Sequence, residues 1–570
     1  MHIEKPKRTF VAEDCGVQNW DSIKEYFESL ENRVIIDETS AECWLSDRSE
    51  LDAFLEEDLA WRYIRMSIDT NDKASVDAYT AFVSEIQPKI APFDDSLNRK
   101  MVANAHIMKR SEDPAYAIYF RSIASALSIF REENIPIEAY LNEKAQEFGS
   151  ISAAQTIEHE GKTLTMQQAS QFLKDPKEEI RQAVYERMVE RRRQDIGNLN
   201  DLFSDLIEKR NQLALNAGFE NFRDYKFVSM GRFDYSKEDC FAFHEAIKKE
   251  VVPLVKEIQQ RKLNQLGKTK FKPWDLEVDP FGRMPLKPFQ TGEEMLQGTI
   301  NMFKKLDAYF ADCLETMKEM GHLDLDSKHG KAPGGYNYPL YEIGVPFIFM
   351  NAVGAHRDLV TMVHEAGHAV HSFLSRDLKL TAFKNFPSEV AELASMSMEL
   401  LSMDLWDEFY PNSEDLNRAK REHLEDILKI LPWIAQIDSF QHWVYTHPSH
   451  SVAERSKKWV ELSVDFGTGL VDWTGYEDIQ GSSWQRQLHL FEVPFYYIEY
   501  GIAQLGALGV WMNSKLNQHS ALENYKKALS LGYTKSMPEI YQAAGVPFDF
   551  SEKRLEILVS EIKGYLEKLN

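Results

Sequence analysis

HRDLVTMVHEAGHAVHSFLSR, residues 356–376, decides how the rest of the chain is read. Leu359, Val363, Ala366, Val370 and Phe373 recur at helical spacing and predict one apolar face. His364 and His368 stand four residues apart, so a helix brings both imidazoles together about one turn apart, off that face. Two neutral imidazoles at this spacing can fill two positions of a tetrahedral zinc ion. Glu365, one residue along, points beside such an ion, where it can hold and deprotonate a water molecule. Gly367 costs a helix about 1 kcal/mol relative to Ala, a cost that fits the close approach of another helix or of a substrate.

A catalytic zinc site needs a third protein ligand and an open fourth position. The segment PSEVAELASMSMELLSM (387–403) predicts the next helix, with Pro387 suited to its first turn. Glu389, Glu392, Met396 and Glu399 fall roughly along one of its faces. A carboxylate ligand is expected here, and spacing leaves Glu389 and Glu392 both open. Glu399 reads as a carboxylate that orients a ligand histidine through its other ring nitrogen. His371 and Leu374 occupy the positions where a metzincin needs Gly and His, which disfavours that scaffold, and His371 reads as a packed or supporting histidine.

Downstream, WQRQLHLFEVPFYYIEY (484–500) places His489 ahead of Tyr496, Tyr497 and Tyr500. An imidazole and phenol hydroxyls can donate to the oxyanion of a tetrahedral intermediate. His489, Tyr496 and Tyr500 share one face if the helix is continuous, and Pro494 is the residue that can interrupt it.

Most of the remaining sequence reads as amphipathic helix. The best β candidate is 331–350 (KAPGGYNYPLYEIGVPFIFM), with Gly334-Gly335 as a turn before aromatic and β-branched residues. The Pro- and Gly-rich stretch 267–290 reads as a crossing from one helical part to another. The chain has 570 residues, with 66 Lys and Arg against 90 Asp and Glu, for a net charge of -24. That balance, without a basic block, argues against nucleic acid or anionic membrane as a partner. Its four cysteines, Cys15, Cys43, Cys240 and Cys313, form no CxxC pair, which argues against a disulfide scaffold or a cysteine-ligated zinc module. No secretory h-region is seen at the N-terminus, and the longest apolar stretches, 345–350 and 502–512, fall short of the roughly 20 residues a spanning helix needs. A cytoplasmic protein is expected.

With these blocks in view, the chain resembles the thimet oligopeptidase and oligoendopeptidase F family of zinc metallopeptidases, above all its shorter bacterial, Pz-peptidase-like branch. The resemblance rests on PFIFMNAVGAHRDLVTMVHEAGHAVH (346–371), PSEVAELASMSME (387–399) and PFYYIEYGIAQLGAL (494–508). Weaker support comes from NAGFENFRDYKF (216–227), PWDL (273–276) and LGYTKSMPEIYQAAGVPFDF (531–550), so the match spans nearly the whole chain.

The resemblance implies a mainly α fold: a large, two-lobed helical body around a deep substrate channel, with a small β-sheet beside the HExxH helix. Residues 1–190 are then an N-terminal helical lobe that forms a channel wall. Residues 191–570 are the catalytic lobe, with C-terminal helices packing back on the first. His364 and His368 match the family's zinc histidines and Glu365 its catalytic base. The glutamate that ends the family's Pro-Ser-Gln-x-x-Glu segment matches Glu392, and Glu389 stands where the family has glutamine. His489 with Tyr500, Tyr497 and, behind them, Tyr496 are the implied oxyanion donors. Gly334, Gly335 and Tyr336 are implied substrate contacts, and an extended peptide is expected to add as a strand to the edge formed by 345–351.

One Zn2+ per chain, short peptides as substrates, no nucleic acid or membrane partner, and a monomer or small homo-oligomer complete the expectation. The activity expected is that of a zinc-dependent oligoendopeptidase, a metalloendopeptidase that hydrolyses internal bonds of short peptides with metal-activated water. Two rivals are an aminopeptidase-like zinc enzyme, disfavoured by the lack of a GxMEN segment, and a non-catalytic helical peptide-binding protein.

Overall fold

Apolar residues at helical spacing leave few places for strands, and the computed structural model of the chain, which describes Met1 and residues 3–569, is helical almost throughout. The elements that bear on the site are, in chain order, α1 (Glu38–Ile68), β1 (Thr156–His159), β2 (Lys162–Thr165), α2 (Lys237–Ala246), β3 (Leu323–Asp326), β4 (Tyr336–Tyr338), β5 (Phe347–Ala352), α3 (His356–Ser375), α4 (Ser388–Ser402), α5 (Ser413–Thr446), α6 (Leu488–Glu492) and α7 (Ile498–Leu516). No helix among the described residues is long and apolar enough to cross a membrane.

The chain divides into two compact units. The first comprises Met1–Ser128, Leu286–Lys420 and Ala503–Phe548; the second comprises Ile129–Pro285, Arg421–Ile502 and the residues from Asp549 on. Residue 190, where the sequence suggested a boundary between lobes, lies inside a helix of the second unit (Glu178–Arg193). The Pro- and Gly-rich stretch 267–290 does contain a passage between units, after Pro285.

In the first unit, β3, β5 and β4 form a three-stranded sheet in that order. β5 runs parallel to β3 and antiparallel to β4, with Tyr336 opposite Phe349 and Tyr338 opposite Phe347. Phe347 and Phe349 pack against Ala60 and Ile64 of α1. Ile348 and Met350 alternate to the opposite face and are equally buried. A strand covered on both faces reads as an unbroken apolar run, which is why 345–350 is so apolar. The expectation that 345–351 forms a free edge is therefore corrected: β5 is central, and β4, which pairs with β5 alone among the described strands, has the open edge.

α3 lies beside this sheet. Asp358 in its first turn accepts hydrogen bonds from the backbone N–H groups of Val353 (2.8 Å) and Ala355 (2.9 Å), which fixes where the helix begins. Asn337 of β4 donates through Nδ2 to the Glu365 carbonyl at 3.3 Å. The predicted stripe Leu359, Val363, Ala366, Val370 and Phe373 is buried throughout.

α3 and α4 pack closest at Gly367. A Cβ there would lie 2.6 Å from Ser395 Cα and 2.9 Å from the Ala394 carbonyl oxygen. Two buried tyrosines hold α4 from its other side: Tyr525 donates its hydroxyl to the Ala394 carbonyl at 2.7 Å and Tyr541 to the Glu389 carbonyl at 2.9 Å. The helix therefore has little room to yield. Gly367→Ala is expected to destabilise the protein by about 1–3 kcal/mol, the usual scale of core overpacking, although alanine is the better helix former. Denaturant unfolding checks this, and a midpoint at or above that of the unmodified protein would refute it.

Candidate active site

The close approach of α3 and α4 sets three side chains around one point. The ligating atoms of His364, His368 and Glu392 all lie within 4.8 Å of one another. Glu392 Oε2 is 3.4 Å from His364 Nε2 and 4.0 Å from His368 Nε2. Glu389, the alternative that spacing left open, is not part of this group; Tyr541 grips its backbone carbonyl from behind.

Glu399 sits one layer out. Its Oε1 lies 2.6 Å from His364 Nδ1, so that nitrogen carries the proton and donates it, and Nε2 is left with its lone pair toward the shared point. Ser395 Oγ donates to Glu392 Oε2 at 3.1 Å and holds in place the carboxylate oxygen that faces the two histidines. Two imidazole nitrogens and one carboxylate oxygen, with a carboxylate-anchored histidine behind them, are the donor set of a catalytic zinc ion. The residues present fit that group.

The electrostatics agree. Burial pushes the His364 imidazole down, but Glu399, Glu392 and Glu365 outweigh it and hold the ring up to about 9. Three partly or wholly buried carboxylates therefore demand a positive charge at this point, a demand that a divalent cation meets with both imidazoles neutral. His368 is pushed well down, first by burial and then by His364 and His371. Burial likewise raises the Glu392 carboxyl. Glu365 is raised to about 7, mainly by burial, with His364 opposing and Glu392 adding to the shift. A carboxylate poised near neutrality suits a group that must both take and return a proton.

His371 does not join the donor set. Its ring stacks on Phe386 with centroids 3.6 Å apart, both its nitrogens lack hydrogen-bond partners, and burial lowers it to about 3. It is a neutral packing ring. Beside His368 a pocket opens, lined by Asn337, Leu340, Tyr341, Arg376, Phe386 and Ala391.

Of the implied substrate contacts, Gly334 has φ +98, a value that only glycine adopts without strain, and turns the chain into β4. Gly335 packs against the sheet, where a Cβ would lie 3.3 Å from the Phe349 carbonyl oxygen. The Tyr336 ring stacks on Phe349 with centroids 4.8 Å apart, so the β4 backbone, not this ring, is what the segment offers.

In the second unit, His489 and the tyrosines gather into one aromatic group. Ring centroids lie 4.7 Å apart for His489 and Tyr497, and 5.9 Å for His489 with Tyr496 and with Tyr500. They do so without a continuous helix. α6 ends at Glu492, Phe495 takes a left-handed φ of 68, and α7 begins at Ile498. The break, not a shared helical face, brings the rings together.

The tautomer of His489 follows from its neighbours. Trp433 Nε1 donates to Gln487 Oε1 at 2.9 Å, which turns the amide so that its Nε2, 2.7 Å from His489 Nδ1, donates there. The His489 proton therefore resides on Nε2. Burial lowers this imidazole to about 4, so it is neutral at physiological pH and still a donor.

Comparison with known proteins gives the family and the fold. Residues 171–559 match the family model for Peptidase family M3, and residues 13–130 match the Peptidase M3 N-terminal domain. An oligoendopeptidase F homolog of Borreliella burgdorferi is 23% identical over 81% of this chain and 75% of its own length. The plasmid oligoendopeptidase F of Lactococcus lactis subsp. cremoris is 21% identical over 87% of this chain and 80% of its own length. A solved structure of Pz peptidase A with an inhibitor superposes with a TM-score of 0.89 and 25% identity, covering 98% of this chain and 99% of that one. The fold is thus that of the oligoendopeptidases, and the chain belongs to peptidase family M3, as a metalloendopeptidase.

Proposed function

We propose that the protein is a zinc-dependent oligoendopeptidase that cuts internal bonds of short peptides. The observation that carries this reading is the convergence of His364, His368 and Glu392 within 4.8 Å, with a near-neutral Glu365 next in sequence to the first of them. His364, His368 and Glu392 would hold the metal. Bound zinc supplies Lewis acidity, polarising the scissile carbonyl and lowering the pKa of water. Glu365 takes the proton of the attacking water and passes it to the leaving amine. Glu399 keeps His364 in the tautomer that ligates.

His489, through its Nε2–H, and Tyr500 or Tyr497 donate to the developing oxyanion. What supports this role is the neutral, donor-ready imidazole and the tyrosine rings packed on it. The open edge of β4 receives an extended peptide backbone, and Gly334 and Gly335 bring no side chains of their own to it. The pocket beside His368 takes a substrate side chain. The same reading carries one zinc at this site, a cytoplasmic enzyme acting as a monomer or small homo-oligomer, and no nucleic-acid or membrane partner.

Glu365→Gln is expected to keep its zinc while losing turnover by a factor of at least about 10^2, the lower range for a lost general base. Metal analysis beside peptide cleavage checks it; an active, metal-loaded variant would sink the mechanism. Cleavage of N-terminally blocked peptides tests the endopeptidase reading at the same time, since an aminopeptidase leaves them intact.

The base must be ionised, so kcat/KM is expected to fall as pH drops through the pKa of Glu365. A bound cation pulls that pKa below the value of about 7 set by burial. The acid limb should therefore lie between this value and the ordinary glutamate value of about 4.3. A pH–rate profile on a peptide without titrating groups reads the limb directly, and an acid limb that persists unchanged in His-independent form when Glu365 is replaced by Asp would assign it elsewhere.

Tyr500→Phe and His489→Ala are each expected to lower kcat by about 10^2 with a smaller change in KM, the signature of a contact made in the transition state. Steady-state kinetics on one peptide suffice, and an unchanged kcat for Tyr500→Phe would shift the role to Tyr497.

A further inference from the structure

A second group of potential ligands lies in the second unit, outside the HExxH site. Cys240 and His244 are four residues apart on α2, and Asp438 and His442 are four apart on α5. This is the spacing by which one helix face presents two ligands. All four side chains are buried, with exposures of 1% for Cys240, 6% for His244, 0% for Asp438 and 5% for His442.

Their polar atoms converge. Asp438 Oδ2 lies 2.8 Å from His244 Nε2 and 3.2 Å from His442 Nε2. The ligating atoms of Cys240, Asp438 and His442 all fall within 4.8 Å of one another. Two bonds of about 2.0 Å at a tetrahedral angle hold their ligand atoms about 3.3 Å apart, close to these separations.

Hydrogen bonding leaves the group unfinished. Asp438 Oδ1 and both ring nitrogens of His442 have no hydrogen-bond partner, although all three atoms are buried. A buried polar atom without a partner costs about 1–3 kcal/mol, and a charged carboxylate more. A cation between Cys240, Asp438 and His442 takes the lone pairs of sulfur, oxygen and nitrogen together. One thiolate and one carboxylate also cancel a divalent charge, so such a site is buried with no net charge.

We propose that Cys240, Asp438 and His442 form a second metal site, holding a divalent transition ion, with His244 hydrogen-bonded to Asp438 behind them. A thiolate with an imidazole and a carboxylate favours zinc. All three ligands are buried, so the site is structural, not catalytic. Its surroundings suit that role: the rings of Phe241 and Phe495 pack on His442 at 4.9 Å and 5.4 Å and keep it dry. Phe495 is the left-handed residue at the break between α6 and α7. Its carbonyl accepts from Arg232, and its N–H donates to Gln441, the residue preceding His442. The ion therefore ties α2 to α5 and braces the turn that gathers His489 and the tyrosines.

The test is metal content and spectroscopy on the full-length protein. Two zinc ions per chain are expected in the unmodified enzyme. His364→Ala/His368→Ala is expected to keep one, and adding Cys240→Ser to lose it. Protein produced in cobalt-supplemented medium is expected to show a thiolate-to-cobalt charge-transfer band in the near ultraviolet, because the HExxH site has no sulfur ligand. That band needs no variant to fold. A cobalt-loaded protein without the band, or a single zinc per chain lost entirely in His364→Ala/His368→Ala, would overturn the second site and leave a metal-free His–Asp–His cluster. Loss of the active-site zinc alone would leave the band in place, so the two sites fail independently.

Discussion

The site depends first on a steric constraint, the contact of α3 with α4 at Gly367. Only a residue without a Cβ lets the backbone of Ser395 come this near. That distance puts Glu392 within reach of both histidines and Glu399 within 2.6 Å of His364. One turn farther apart, the same residues would be two solvated helix faces. The hydroxyls of Tyr525 and Tyr541, bonded to α4 carbonyls, close the other side of the arrangement. Metal-site geometry here is thus a result of helix packing.

Packing of this kind concentrates charge. Glu365, Glu392 and Glu399 are all nearly buried, and all three hold up the charge of His364. Such a cluster is unfavourable as it stands: burial raises the carboxyls of Glu365 and Glu392, and like charges raise them further. The folded chain therefore stores an electrostatic demand that a cation relieves. Burial raises Glu365 and the cation pulls it back, which leaves it able both to take and to return a proton.

The parts legible in the sequence are those set by local periodicity. HEAGH on an amphipathic stripe and the acidic face of 387–403 both appear as helices with the predicted residues facing one another, and the choice between Glu389 and Glu392 needed either the family resemblance or the helix crossing itself. Other features depend on neighbours distant in sequence. The run VPFIFM reads as a strand, and β4 falls inside the same 331–350 candidate, but the central place of VPFIFM is fixed by β3, which periodicity does not reveal. The hairpin of β1 and β2 went unread because its turn uses Glu160 with Gly161, both at positive φ, and not one of the common Asn-Gly or Asp-Gly pairs. Pro494 signalled an interruption after His489, yet no local rule predicts that Phe495 turns left-handed and folds the rings back on each other.

Cys240-x3-His244 and Asp438-x3-His442 illustrate the same limit from the other side. Each pair has the i, i+4 spacing of HExxH, and each alone is a common accident. Cysteine counting by CxxC pairs passes over them, because the two residues on each helix are of different types and the two helices are nearly two hundred residues apart in sequence. What separates the two clusters is burial and what stands beside them. His364 and His368 are only half-buried, and a base stands next to them. Cys240, Asp438 and His442 are all buried, and aromatic rings pack over His442. A protein that must bind and release peptides at one metal needs that site open and polar. The strained turn at Phe495, which costs of order 1–3 kcal/mol to hold, needs the opposite: a closed, dry anchor that does not exchange with solvent. The two constellations answer these two requirements with the same helical spacing.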